Sequence, residues 1–118
     1  MSHRERLPSR RYSSTMEMVH ADKVFSVSIG FYPAVLGELP RPAEVFISGP
    51  KVGSDMDALA RDSAVLLSLA LQYGVPIDVI QATITRDQGG KPSTIAGAVV
   101  DTLVKGTAEH SGLVLVKE

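Results

Sequence analysis

The sequence predicts an α+β domain: a small antiparallel sheet of three or four strands packed on two or three helices, with the central helix buried in an oligomer. Three observations carry this reading. Residues 15–48 hold short alternating segments parted by turn and proline-rich stretches. Residues 54–73 form one long run bracketed by helix start and stop signals. The second half of that run is apolar on nearly every side, more than a few short strands can cover in a chain of 118 residues, which is a single domain in size.

Taken in order, the opening SHRERLPSRR carries Arg4, Arg6, Arg10 and Arg11 and almost nothing apolar, so residues 1–12 read as a flexible basic arm, solvated or docked on a neighbour. The domain proper is expected over 13–106, with 107–118 as a tail or, through LVLVKE, an edge strand. TMEMVH alternates as a strand does, ADK turns, and VFSVSIGF sets Phe25, Val27 and Ile29 on one face. After YPAVLGELPRP, whose prolines keep the connection irregular, AEVFIS supplies a strand with Val45 and Ile47 on one side and Phe46 opposite. Ser54 with Asp57 three residues on approximates a capping box, and the helix it opens runs to Gly74, with Pro76 just beyond. A second, shorter helix is expected from Pro76 through PIDVIQATITRD, then a turn at QGGKPS. Ser93 or Thr94 caps a third helix, IAGAVVDTLVKG, expected to end at Gly106.

Composition narrows the chemistry. A net charge of -1 gives no general field for a nucleic-acid polymer, so anion binding has to be local. There is no cysteine, which removes disulfides, thiolate catalysis and the usual structural zinc sites and suits a reducing cytosol. No stretch is long and apolar enough to span a bilayer, so the expectation is a cytoplasmic protein without a membrane partner. His3, His20 and His110 lie far apart, and neither a metal site nor a cofactor is expected. No catalytic constellation stands out; a hydrolase working through Asp55, Asp57 or Asp87 is the enzymatic alternative.

Cations and hydroxyls gather instead at two helix starts. In GPKVGSDMDALAR, Lys51, Ser54 and Arg61 accompany a helix N-terminus whose dipole favours negative charge. A Walker loop needs its lysine directly after the last glycine, and Lys51 precedes Gly53, so ATP-type binding is disfavoured. Asp55 and Asp57 compete for the same positive end, and the segment serves equally well as a tight strand-to-helix turn. TRDQGGKPST brings Arg86, Lys91, Ser93 and Thr94 to another helix start, with glycines that permit close approach to the backbone. If the two starts share a groove, within one chain or across an oligomer, they form a donor-rich pocket for a phosphate ligand. Phe31 and Phe46, with Phe25 and Tyr32, are candidates for stacking on a base or for the core.

The run AEVFISGPKVGSDMDALARDSAVLLSLALQYGVPIDVI, continued by TRDQGGKPSTIAGAVVDTL, resembles the TSCPD domain, a module found at the C-terminus of vitamin B12-dependent ribonucleotide reductases and in stand-alone proteins. In that family a strand of the type EVFI leads into G-K-x-G-S and a helix ending SLAL…GVP. A basic residue and a glycine loop follow, then the name-giving motif at a helix start. The resemblance covers about residues 15 to 105. Where the family often reads T-S-C-P-D, this chain has Ser93, Thr94, Ile95, Ala96 and Gly97, so any thiol chemistry of reductase-linked members is absent.

The chain is also similar in type, in length and in its lack of evident catalytic apparatus, to phage-encoded sponges that sequester cyclic nucleotide signals. The Thoeris anti-defence sponge for cyclic ADP-ribose isomers, a hexamer, is one. That likeness implies a non-catalytic nucleotide-binding oligomer, dimer or hexamer, in a bacterium or a phage-infected host. Its ligand contacts would be Lys51, Ser54, Arg61, Arg86, Lys91, Ser93 and Thr94. The reductase resemblance implies the alternative, an accessory or regulatory module that docks on a reductase large subunit, with the arginine arm as a natural docking element.

Overall fold

The computed structural model describes residues 3–9, 11–34 and 40–109. Its elements are β1 (Ser13–His20), β2 (Lys23–Phe31), β3 (Pro42–Ser48), α1 (Asp55–Gln72), α2 (Ile77–Gln81) and α3 (Ile95–Glu109). The strands form one antiparallel sheet in the order β1-β2-β3, so the α+β class read from the sequence is the observed one. The segment LVLVKE lies outside the described residues.

β1 and β2 make a hairpin in which His20 pairs with Lys23 across a two-residue turn. Both turn residues are left-handed, Ala21 at φ 52° and Asp22 at φ 66°, as a type I′ turn requires. The alternation in β2 and β3 sets Phe25, Val27, Ile29, Val45 and Ile47 inward, and leaves Phe46 58% exposed on the other face. Ala60, Ala64, Leu67 and Leu71, at helical spacing along α1, pack on that inner face together with Ile95, Val99, Val100 and Leu103 of α3.

α1 begins where Ser54 accepts the Asp57 N–H on Oγ at 3.1 Å, the expected cap. It ends at Gly74, φ 91°, in a Schellman arrangement: Val75 N–H donates to the Ala70 carbonyl and Gly74 N–H to that of Leu71. Along its length α1 also covers the outer edge of β3. Val45 N–H donates to Ser68 Oγ at 2.7 Å, the Ser68 hydroxyl donates to the Val45 carbonyl, and Gln72 Nε2 donates to the Ala43 carbonyl at 3.0 Å. Unpaired strand groups are thereby satisfied by helix side chains rather than left as a template for another strand.

Two helix boundaries differ from expectation. α2 stops at Gln81 instead of continuing through Asp87, because Thr83, Ile84 and Thr85 supply β-branched residues and the Thr83 hydroxyl takes the Ile80 carbonyl at 2.7 Å. The chain then straightens, and Arg86 bridges to Pro92. α3 runs past Gly106 to Glu109, since one glycine weakens a helix without ending it.

The N-terminal segment read as a basic arm lies against the body of the chain. Glu5 N–H donates to the Gln72 carbonyl at 2.8 Å, the buried Tyr32 hydroxyl donates to the Glu5 carbonyl, and Arg11 pairs with Glu44 at 2.7 Å. Arg41 stacks 4.4 Å from the Tyr32 ring centroid and reaches the Glu5 carboxylate. Burial, and next the Glu5 charge, raise the Tyr32 phenol above its ordinary value.

Candidate functional site

The loop from Gly49 to Ser54 is built around an anion, and that anion belongs to the chain. Asp57 is 3% exposed. Its Oδ1 accepts the Gly49 N–H at 2.8 Å, its Oδ2 accepts the Gly53 N–H at 3.2 Å, and Arg61 donates to Oδ2 at 3.0 Å from one turn further along α1. These three donors, the Gly49 N–H foremost and Arg61 next, hold the Asp57 carboxyl below the usual carboxylate range. The capping box is therefore a half-box: Asp57 gives its backbone N–H to Ser54, but its side chain serves the loop instead of returning to the Ser54 N–H. Ser54 Oγ donates in turn to the Lys51 carbonyl at 2.7 Å, while the Lys51 side chain is exposed.

Gly49 is needed because its Cα passes close to α1. A Cβ there would sit 2.9 Å from Asp57 Cα and 3.1 Å from Asp57 N. Gly53 is needed for its φ of 83°, with open space around it.

The second cluster is likewise engaged internally. Arg86 forks onto Asp101 of α3, Nη1 to Oδ2 at 2.9 Å and Nη2 to Oδ1 at 2.8 Å, and also reaches the Gly90 carbonyl. The Arg86 bonds, with a bond from Gln81 Nε2, bring the Asp101 carboxyl down to about 2, and Asp101 raises Arg86 above its ordinary value. Asp87 closes its own turn by accepting from the Gly89 and Lys91 N–H groups. Thr94 is the residue that caps α3: its Oγ1 accepts the Gly97 N–H at 3.0 Å. The Ser93 N–H donates to the Thr85 carbonyl, and the Ser93 carbonyl lies 3.3 Å from His20 Nε2.

Two surface grooves divide the sequence-derived candidates. The larger, about 600 Å³, lies between the β1–β2 turn, the first half of α1 and the start of α3; His20, Lys23, Met56, Leu59, Ser93 and Thr94 are among its walls. The smaller, about 290 Å³, runs along β3 and α1 and includes Arg4, Glu44, Phe46 and Arg61. Lys51, Ser54, Arg86 and Lys91 line neither groove. Of the aromatic candidates, Phe46 walls the smaller groove, Phe31 is half-buried against the core, and Phe25 and Tyr32 are buried.

The residues that sequence reasoning did not select are His20 and Lys23, brought to the α3 start by the hairpin, and Asp101, the partner of Arg86. The spacing of Arg86 and Asp101 across a loop carries no local signal, and only the fold joins them.

Among the described residues no three His, Cys, Asp or Glu side chains converge as metal ligands, and no helix is long and apolar enough to cross a membrane. The larger groove is mainly apolar and is rimmed by His20 and Lys23, and Leu59, Val65 and Leu66 stand exposed on α1 beside the charged Arg61 and Asp62.

Residues 4–110 match the family model of the TSCPD domain. The chain is 33% identical over 109 residues to a vitamin B12-dependent ribonucleotide reductase of Rhodopirellula baltica, covering 86% of this chain and 10% of that protein. It is 33% identical over 94 residues to the vitamin B12-dependent ribonucleotide reductase of Bradyrhizobium diazoefficiens, covering 78% of this chain and 7% of the reductase. The chain thus spans about a tenth or less of the length of these relatives. No solved structure matches it significantly. With the strand, capped helix and glycine turns in the places where the family pattern has them, the chain is a member of the TSCPD domain family.

Proposed function

We propose that this chain is an accessory or regulatory module of vitamin B12-dependent ribonucleotide reduction, working in the cytosol by binding and not by chemistry of its own. The observation that carries the reading is the likeness of 86% of the chain to a stretch of such a reductase. The disposition of charge supports it. The two carboxylates with depressed pKa values, Asp57 and Asp101, are held in internal hydrogen bonds to the loop, Arg61 and Arg86, while large apolar side chains such as Leu59, Leu66 and Phe46 stand exposed. Affinity capture on the purified chain from a host that makes the reductase tests the proposal. Recovery of the large subunit is the expected result; capture without any reductase polypeptide refutes it. Removal of residues 1–11 measures how far the arginine segment contributes, given that Arg11 already serves Glu44.

A second reading, capture of a cyclic nucleotide or cyclic ADP-ribose-type signal without turnover, draws on the larger groove. It has the volume for a nucleotide, and His20, Lys23 and the α3 start line it. Calorimetry against cyclic dinucleotides, cyclic trinucleotides, cyclic ADP-ribose isomers and dNTPs tests it, with recovery of intact ligand as the expected result. Absence of binding at millimolar concentration eliminates it, and turnover of any member would make the chain an enzyme.

A further inference from the structure

From a gap in the way α1 seals the edge of β3, we infer that the smaller groove receives an extended acidic segment of a partner polypeptide. The inference goes beyond the reductase reading, since it names a surface and a chemistry that hold whichever polypeptide carries the segment.

α1 serves the outer edge of β3 at alternate residues. Gln72 bonds the Ala43 carbonyl, Ser68 bonds both main-chain groups of Val45, and Asp57 accepts the Gly49 N–H. In an antiparallel strand the N–H and C=O of every second residue turn to the same edge, so those of Ile47 face α1 as well. The helix positions that serve the edge descend in steps of four, Gln72 and then Ser68, and the next is Ala64, whose methyl group makes no hydrogen bond. Neither the N–H nor the C=O of Ile47 has a partner among the described residues. Ile47 is buried and lines the smaller groove. Open main-chain groups in so buried a residue are rare in folded proteins and mark a place for a further partner.

The walls select that partner. The N–H and C=O of one strand residue are the unit with which an extended peptide exchanges two hydrogen bonds. Ser68 holds α1 too close at Val45 for a whole strand to be added, so the pairing is one residue long. The peptide then continues over the apolar Phe46 and Val65, which are 58% and 56% exposed. Charge calls for an acid. Arg4 and Arg61 stand in the lining, each spending its Nε inside the chain, on Gln72 and on Asp57, and their Nη atoms make no bond among the described residues. Arg4 forms no ion pair among those residues, and Glu44, the one acid they place in the lining, is matched by Arg11 at 2.7 Å. From Arg61 to Gln72, where Arg4 attaches, α1 rises about 16 Å. Roughly five extended residues cover that span. A peptide with an acid at each end and apolar side chains between therefore fits the groove.

The probe is a capped pentapeptide with glutamate at both ends and valine, asparagine and valine between, titrated into the isotope-labelled chain and followed by NMR. In the free chain the Ile47 amide should exchange with solvent at least about tenfold faster than the Val45 amide, which Ser68 protects. The peptide should shift the Ile47 resonance, slow that exchange and bind with a Kd on the order of 1 mM or tighter. The same peptide with lysine at both ends should bind at least about tenfold more weakly. Arg4→Glu and Val65→Glu, both at exposed positions and with unchanged circular dichroism, should each weaken binding of the acidic peptide about tenfold. Val79→Glu, exposed on α2 and outside the groove, should leave it unchanged. An Ile47 amide as protected as that of Val45, no shift at Ile47 with about 10 mM acidic peptide, or equal binding of the lysine peptide overturns the inference. So does binding that survives both Arg4→Glu and Val65→Glu.

Discussion

Replacing Gly49 by alanine tests whether the strand-to-helix loop is organised by the Asp57 carboxylate. The added Cβ would fall 2.9 Å from Asp57 Cα and 3.1 Å from Asp57 N, contacts that no side-chain rotation relieves because both atoms are backbone. Separating the loop from α1 by several tenths of an ångström weakens the 2.8 Å bond from Gly49 N–H to Oδ1. Overpacking of this kind costs about 1–3 kcal/mol. In a domain of this size each kcal/mol shifts Tm by roughly 4 °C, so thermal unfolding of Gly49→Ala should occur at least about 4 °C lower. Asp57→Asn gives the matching probe of charge. The folded-state pKa of Asp57 is depressed, so its stabilising effect is present above the unfolded value of 3.8 and disappears as pH falls through the folded value. The asparagine variant should accordingly be less stable at neutral pH and approach the parent chain as pH drops below about 4. An unchanged Tm for Gly49→Ala, together with parallel stability curves for Asp57→Asn between pH 7 and pH 3, would show that the loop holds its shape without the carboxylate.

Ser68→Ala removes the acceptor and the donor that close the edge of β3 at Val45, and should cost about 1–3 kcal/mol in urea unfolding, with faster aggregation during refolding. Ala21→Gly relieves a left-handed residue in the hairpin turn and should stabilise the chain by about 1 kcal/mol, read as a rise in the denaturation midpoint. The Asp101 carboxyl should titrate near a pKa of about 2 by carbon-detected NMR; its contribution to stability is complete above about pH 4 and lost as pH falls towards 2. Arg86→Gln should move that titration back towards the ordinary carboxylate range and weaken the seating of the 86–92 turn on α3.

The strands, α1 and its cap were legible because their signals are local. Alternation in VFSVSIGF and AEVFIS fixes which side chains face the core, and Ser54 and Gly74 mark the ends of one helix. The early end of α2 was harder, since Thr83, Ile84 and Thr85 continue an apolar-periodic run while their branching opposes it. At the candidate site Ser54 and Thr94 cap α1 and α3, but sequence does not say to what each of the other donors is given. Arg86 finds Asp101, fifteen positions away, and Thr94 spends its hydroxyl on the Gly97 N–H. His20 carries no motif at all; the β1–β2 hairpin turn, four elements earlier in the chain, delivers it to the Ser93 carbonyl.

The loop around Asp57 has a consequence for how this part of the molecule responds to its surroundings. Its anion is covalently attached, four residues along the chain from Gly53, and is therefore present at a local concentration that no dissolved phosphate reaches. Such a loop has no vacant form to be filled and no dissociation to follow, so its geometry should be indifferent to the supply of small anions. Responsiveness, where the chain has it, falls to the surfaces beyond that loop.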